Sequence, residues 1–140
     1  MSGVSVTGAP VEPAELLEAA ARLLASPLRG GHDSEMEGHW PRTCALLTRL
    51  ALESALDEYW GRALPSAAGC SMRAQLLLLP RFAGDEAAAL ARESWLGLSR
   101  AAHHHAYELA PTAGELREWH SAVRRLASML AQKRIFHQRM

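Results

Sequence analysis

After Pro41 the chain meets no glycine until Gly61 and no proline until Pro65. Within that stretch Leu46, Leu47, Leu50, Ala51, Leu52, Ala55, Leu56, Tyr59 and Trp60 recur at helical spacing, which leaves a narrow polar stripe of Arg42, Arg49, Glu53 and Asp57. The pattern predicts one long helix from about 41 to 64, entered at Trp40-Pro41. A helix with apolar residues round most of its girth must be covered on more than one side. It therefore requires a helical bundle or a subunit interface.

The remaining segments read the same way. PAELLEAAARLLAS puts Pro13 at a first helical position and spaces Leu16, Leu17, Ala20, Leu23 and Leu24 along one face. Pro27 and Gly30-Gly31 close that helix, and RGGHDSEMEGH reads as a polar loop over about 27–39. Pro65 to Ser71 reads as a small-residue loop. MRAQLLLL is apolar without β-branching, so a short helix is expected over 71–79, stopped by Pro80. Gly84-Asp85 offers a turn and an N-cap for a helix over about 85–105, with Ala88, Leu90, Ala91, Trp95, Leu98 and Ala102 as its stripe. Thr112 and Glu115 have capping-box spacing, which starts a last helix from 113 to about 134 with Leu116, Trp119, Val123, Leu126 and Leu130 on one face. No period-2 alternation of useful length interrupts this series. The expected class is all-α, four main helices and one extra short helix, in a single helical-bundle domain over 13–136 behind a disordered lead-in over 1–12.

Charge and cysteine content limit the function. The 140 residues balance 15 Lys and Arg against 15 Asp and Glu, which disfavours a protein that holds nucleic acid by bulk charge alone. The halves differ, however. Residues 1–60 carry nine acids and four arginines, whereas residues 61–140 carry eleven bases and six acids, so a polyanion would meet the C-terminal half. Arg124, Arg125, Lys133, Arg134 and Arg139 lie in a tail without acids that suits RNA phosphates or an ordinary solvated helix end. Cys44 and Cys70 lack CxxC or finger spacing, so no disulfide framework or zinc finger is expected. With no apolar span and no leader pattern, the expected setting is the cytoplasm, without a membrane partner.

The chemically unusual segment is Leu98-Ser-Arg100-Ala-Ala-His103-His104-His105-Ala-Tyr107-Glu108. Three consecutive histidines on a helix would point about 100° apart, so they cannot share one metal ion. A site that also drew on His32 and His39 would have no carboxylate or histidine at i+4 to support it. No metal site and no cofactor are therefore expected. Arg100 with His103 or His104, and His104 with Tyr107, have spacings that share a helix face.

Arg100, His105 and Tyr107 form the pattern R-x-x-x-x-H-x-Y, and on this motif the chain resembles the HEPN family of small four-helix-bundle ribonucleases, in particular the toxin subunit of HEPN/MNT toxin-antitoxin pairs. The resemblance spans roughly 14–134 in helix order and length. It implies an up-and-down bundle and a homodimer in which two copies of the motif line a shared cleft and RNA is cut without a metal. Carried over to this sequence, Arg100 would hold the scissile phosphate and His105 would act as general base or acid, with His103 or His104 able to take its place. Tyr107 would be the position that a partner nucleotidyltransferase antitoxin modifies. Glu53 is the supporting candidate from the long helix, because HEPN proteins often place a polar residue of the equivalent helix in the cleft. The residue after the arginine is Ala101, where the family often has Asn or Asp.

The implied chemistry is sound by itself. Attack of a ribose 2′-hydroxyl on its own phosphate needs a group that titrates near neutral pH, which is histidine, and a fixed cation that makes bidentate contact, which is arginine. The competing reading keeps the bundle as a non-catalytic protein-interaction module, with Arg100 and His105 as cations favoured at a helix C-terminus and Tyr107 as a buried ring.

Overall fold

A computed structural model describes residues 11–25, 34–103 and 109–133, with 34–38 as backbone only. All regular structure among the described residues is helical: α1 (Pro13–Ala25), α2 (Ser34–Ala63), α3 (Pro65–Ala68), α4 (Met72–Ala83), α5 (Asp85–Ala102) and α6 (Ala113–Gln132). None of these helices is long and apolar enough to cross a membrane.

Helix α1 starts where Pro13 permits it, since proline's missing N–H is not needed in a first turn. It buries Leu17, Ala20 and Leu24. Helix α2 buries Cys44, Ala45, Thr48, Ala51, Leu52, Ala55, Leu56, Tyr59, Trp60 and Ala63, and packs against α1, α3, α5 and α6. The expectation of a helix covered on several sides is thus met, although Leu46 and Leu50 remain exposed at its edge. Its start is earlier than expected, at Ser34 rather than Pro41, so the loop expected over 27–39 is helical from 34 onward. Pro41 then lies inside the helix, where local preference disfavours it. It is buried there and Trp40 packs on the core, so tertiary packing holds a turn that proline alone would end.

The connection from α2 to α5 also differs from the expected loop and short helix. Pro65–Ala68 forms a single helical turn, and Gln75, itself buried, donates to the carbonyls of Ala68 and Cys70 across the loop that follows. Ser71 caps α4 by accepting from the Ala74 N–H. Pro80 does not stop the helix. The helix continues to Ala83, which is buried, and ends at Gly84, whose φ of 91° turns the chain as no β-carbon-bearing residue readily does. Pro80 lies on the exposed side of the helix.

Helix α5 has Asp85 and Glu86 in its first turn, charges that suit the positive end of the helix dipole. It ends at Ala102, three residues before the expected limit, and His103 is extended. Helix α6 opens with the capping box read from the sequence: the Thr112 hydroxyl accepts from the Glu115 N–H and the Glu115 carboxylate accepts from the Thr112 N–H, both at 3.1 Å.

Cross-contacts show how the long helices run. Cys44 meets Ala20 and Ser54 meets Val11, so α1 and α2 are antiparallel. Arg42 meets His103 and Arg49 lies over Trp95, so α2 and α5 are antiparallel. Gly97 meets Trp119 and Glu86 pairs with Arg125, so α5 and α6 are antiparallel too. His120 Nε2 donates to the Leu17 carbonyl at 2.8 Å and ties α6 to α1. The C-terminal end of α5, the N-terminal end of α6 and the Arg42 region of α2 therefore meet at one end of the molecule.

Candidate functional site

Arg100 occupies the last turn of α5 and is exposed. It lines an open cleft of about 870 Å³ together with Arg42, Leu96, Gly97, Leu109 and Trp119. Two guanidinium groups separated by 58 positions in the sequence thus face one space. Glu115 also lines the cleft, but its carboxylate is turned back into the capping box of α6.

Arg42 reaches this end of the molecule because α2 and α5 are antiparallel. Its guanidinium donates to the carbonyl of His103, the C-cap of α5. The last carbonyls of a helix have no intrahelical partner and carry the negative end of its dipole, so a cation there both satisfies and neutralises them. By spacing alone Arg42 belongs to the polar stripe of α2. Only the fold brings it to α5, and no local pattern in the sequence announces the contact.

Gly97 and Trp119 form the second feature missed by sequence reasoning. A β-carbon at Gly97 would lie 2.5 Å from the indole Nε1 of Trp119, closer than any side chain tolerates. Glycine inside a helix costs about 1 kcal/mol relative to alanine. Here that cost is offset by the close seating of a half-buried indole on the backbone of α5. An isolated glycine in an amphipathic helix was the signal available in the sequence.

The predicted site residues separate as follows. Arg100 lies in the cleft. His104, His105 and Tyr107 fall within 104–108, outside the described residues. Because α5 ends at Ala102, the helical spacing that would have set Arg100 on one face with His103 does not apply, since His103 has left the helix. Ala101 is buried, 8% exposed, so the position after the arginine belongs to the core. Glu53 is not in the Arg100 cleft. It pairs with Arg49 at 3.4 Å, and it lines a different recess with Leu16, Leu50, Asp57, Met72 and Trp95. Eleven positions separate it from Arg42, about 16 Å along a helix axis.

Among the described residues three titratable groups are shifted, none of them in this cleft; for Tyr59, burial pushes the hydroxyl up against a smaller opposing effect of Arg62. Burial pushes the Cys44 thiol up, against a smaller opposing effect of its hydrogen bond with Thr48, which makes it an unreactive core residue. The Glu58 carboxyl is raised by partial burial and then by the neighbouring Glu12 carboxylate. Among the described residues no group of three His, Cys, Asp or Glu is placed to hold a metal ion. No family model matches the chain, and neither a curated protein nor a solved structure does.

Proposed function

We propose that this protein is an HEPN-like, metal-independent endoribonuclease, with α1, α2, α5 and α6 as the four-helix up-and-down bundle of that family and α3 and α4 as its added segment. The observation that carries the reading is the Arg100 cleft. It holds two arginines at the point where α5 ends, and the chain that leaves α5 there is the one that bears His105. A helix end, a pair of guanidinium groups and an imidazole five residues along the chain from Arg100 supply the groups that phosphodiester transesterification needs.

In this reading Arg100 contacts the non-bridging oxygens of the scissile phosphate and stabilises the charge that builds there. His105 takes the proton of the ribose 2′-hydroxyl as the oxygen attacks phosphorus. The phosphorus–O5′ bond breaks, and the departing oxygen takes a proton from an imidazolium, which gives a 2′,3′-cyclic phosphate and a 5′-hydroxyl. A homodimer supplies a second His105 for that second transfer, with His104 in support. Arg42 adds positive charge to the cleft while it binds the carbonyl of His103. Tyr107 is the position on which a nucleotidyltransferase antitoxin would act, and a toxin or defence role in the cytoplasm follows from that pairing.

The test is incubation of purified protein with total RNA in excess EDTA, alongside Arg100→Ala and His105→Ala variants of wild-type helicity. Cleavage that both variants lose is the expected result. Intact RNA with wild type and variants alike would replace this reading with a non-catalytic interaction module, and a search for its protein partner would follow.

A further inference from the structure

We infer that the cleft beside Arg100 seats one nucleotide unit of single-stranded RNA with its base stacked on the Trp119 indole; this deepens the ribonuclease reading and rests on it. The molecule uses its tryptophans differently. Trp60 is sealed in the core, while Trp95 lies under the Arg49 guanidinium. Trp119 is half-buried and borders the Arg100 cleft on one side and, on the other, a second recess lined by Glu93, Arg117 and Ser121. Trp119 thus borders two open spaces.

Gly97 fixes the position of the Trp119 indole. The ring lies on the backbone of α5 at Gly97, and Arg100 follows three positions later on the same helix face. Such neighbours are about 5–6 Å apart at their β-carbon positions, a separation suited to a base and its own phosphate. Leu96, 63% exposed, and Leu109, 97% exposed, add apolar surface at the cleft rim. A flat ring, apolar rim and guanidinium together match a nucleotide, because every base offers a π-face and every unit carries a phosphate. Sequence-tolerant stacking rather than base-edge reading follows, since the capping box already engages the Thr112 hydroxyl and the Glu115 carboxylate.

The experiment measures fluorescence anisotropy of a labelled 2′-O-methyl RNA oligonucleotide, which cannot be cleaved, and of the same backbone with abasic residues, at one fixed salt concentration. Wild type is expected to bind the base-bearing strand about 5- to 100-fold more tightly than the abasic one. The ratio should survive in Trp119→Phe, fall towards one in Trp119→Leu, and fall in Gly97→Ala, whose β-carbon displaces the ring. Because each variant is compared with itself on two strands, a loss of folded protein cancels. A wild-type ratio of one, or an unchanged ratio in Trp119→Leu, would overturn the stacking inference. Cleavage in EDTA, measured on the same preparations, separates the two levels. Cleavage without base-dependent binding removes the stacking seat alone, whereas neither cleavage nor binding removes the ribonuclease reading with it.

Discussion

Helix α2 carries an arginine near each end of its described side chains, and the two meet different surroundings. Arg62 donates to the carbonyl of Leu130 in the last turn of α6, and Arg42 donates to the carbonyl of His103 at the end of α5. Both satisfy carbonyls that a helix end leaves without a partner. The Arg62 end is closed: Trp60 is fully buried there with its ring edge-on to Tyr59 and Phe82, and its Nε1 has no hydrogen-bond partner among the described residues, so packing alone holds it. The Arg42 end opens into a cleft with Arg100 and a half-buried Trp119. The same residue types thus stabilise one end and leave a charged, aromatic-walled space at the other.

The contrast can be broken most forcefully at Arg100. Its replacement by alanine should lower RNA cleavage at least about 100-fold, the size expected for loss of a group that stabilises transition-state charge, while the thermal midpoint stays near wild type. A comparable fall in stability would place Arg100 with the framework instead. At the closed end, Trp60→Ala should cost about 3–5 kcal/mol in denaturant unfolding, the usual penalty for emptying a core site of that size. A smaller loss than that of Trp119→Ala would reverse the assignment of the two tryptophans.

The two arginine clamps sharpen the comparison further. Arg42→Met and Arg62→Met should each lose about 0.5–1.5 kcal/mol of stability, the net worth of such a bond. Only Arg42→Met should also speed amide exchange in the last turn of α5; equal effects of both variants there would deny that Arg42 secures that helix end. The smallest effect belongs to Glu58. A carboxyl whose folded pKa is raised binds more protons folded than unfolded, so stability falls as pH rises from its unfolded value through the folded one. Glu58→Gln, which stays neutral, should therefore match wild type in acid and exceed it by less than about 0.5 kcal/mol at neutral pH, the range of exposed substitutions. Wild type proving the more stable at neutral pH would show that the attraction of Arg62 outweighs burial and Glu12.

Much of the fold was legible because helical order is local. The starts at Pro13 and Thr112, the interior of α2 and the absence of strands among the described residues all follow from spacing, capping and propensity within a few residues. The errors fell at prolines and helix ends. Proline removes a hydrogen bond, so Pro41 and Pro80 read locally as boundaries, yet each lies inside a helix, Pro41 itself buried and Pro80 next to the buried Leu79. Alanine and histidine raise no stop signal, so the sequence carries α5 through His105, whereas the extended His103, held at its carbonyl by Arg42, marks the end.

For the site, the sequence by itself determined which residue types were available for phosphate chemistry and that Arg100 belongs to a helix near its C-terminal end; its place in the last turn follows from the helix ending at Ala102. Three things were decided by tertiary structure: Arg42 joins that cleft, Glu53 lines a different recess, and Gly97 receives the indole of Trp119. The reason is physical. Spacing along one helix determines which side chains share a face, but which faces meet depends on how antiparallel helices align, and that alignment is chosen by the burial of the whole core.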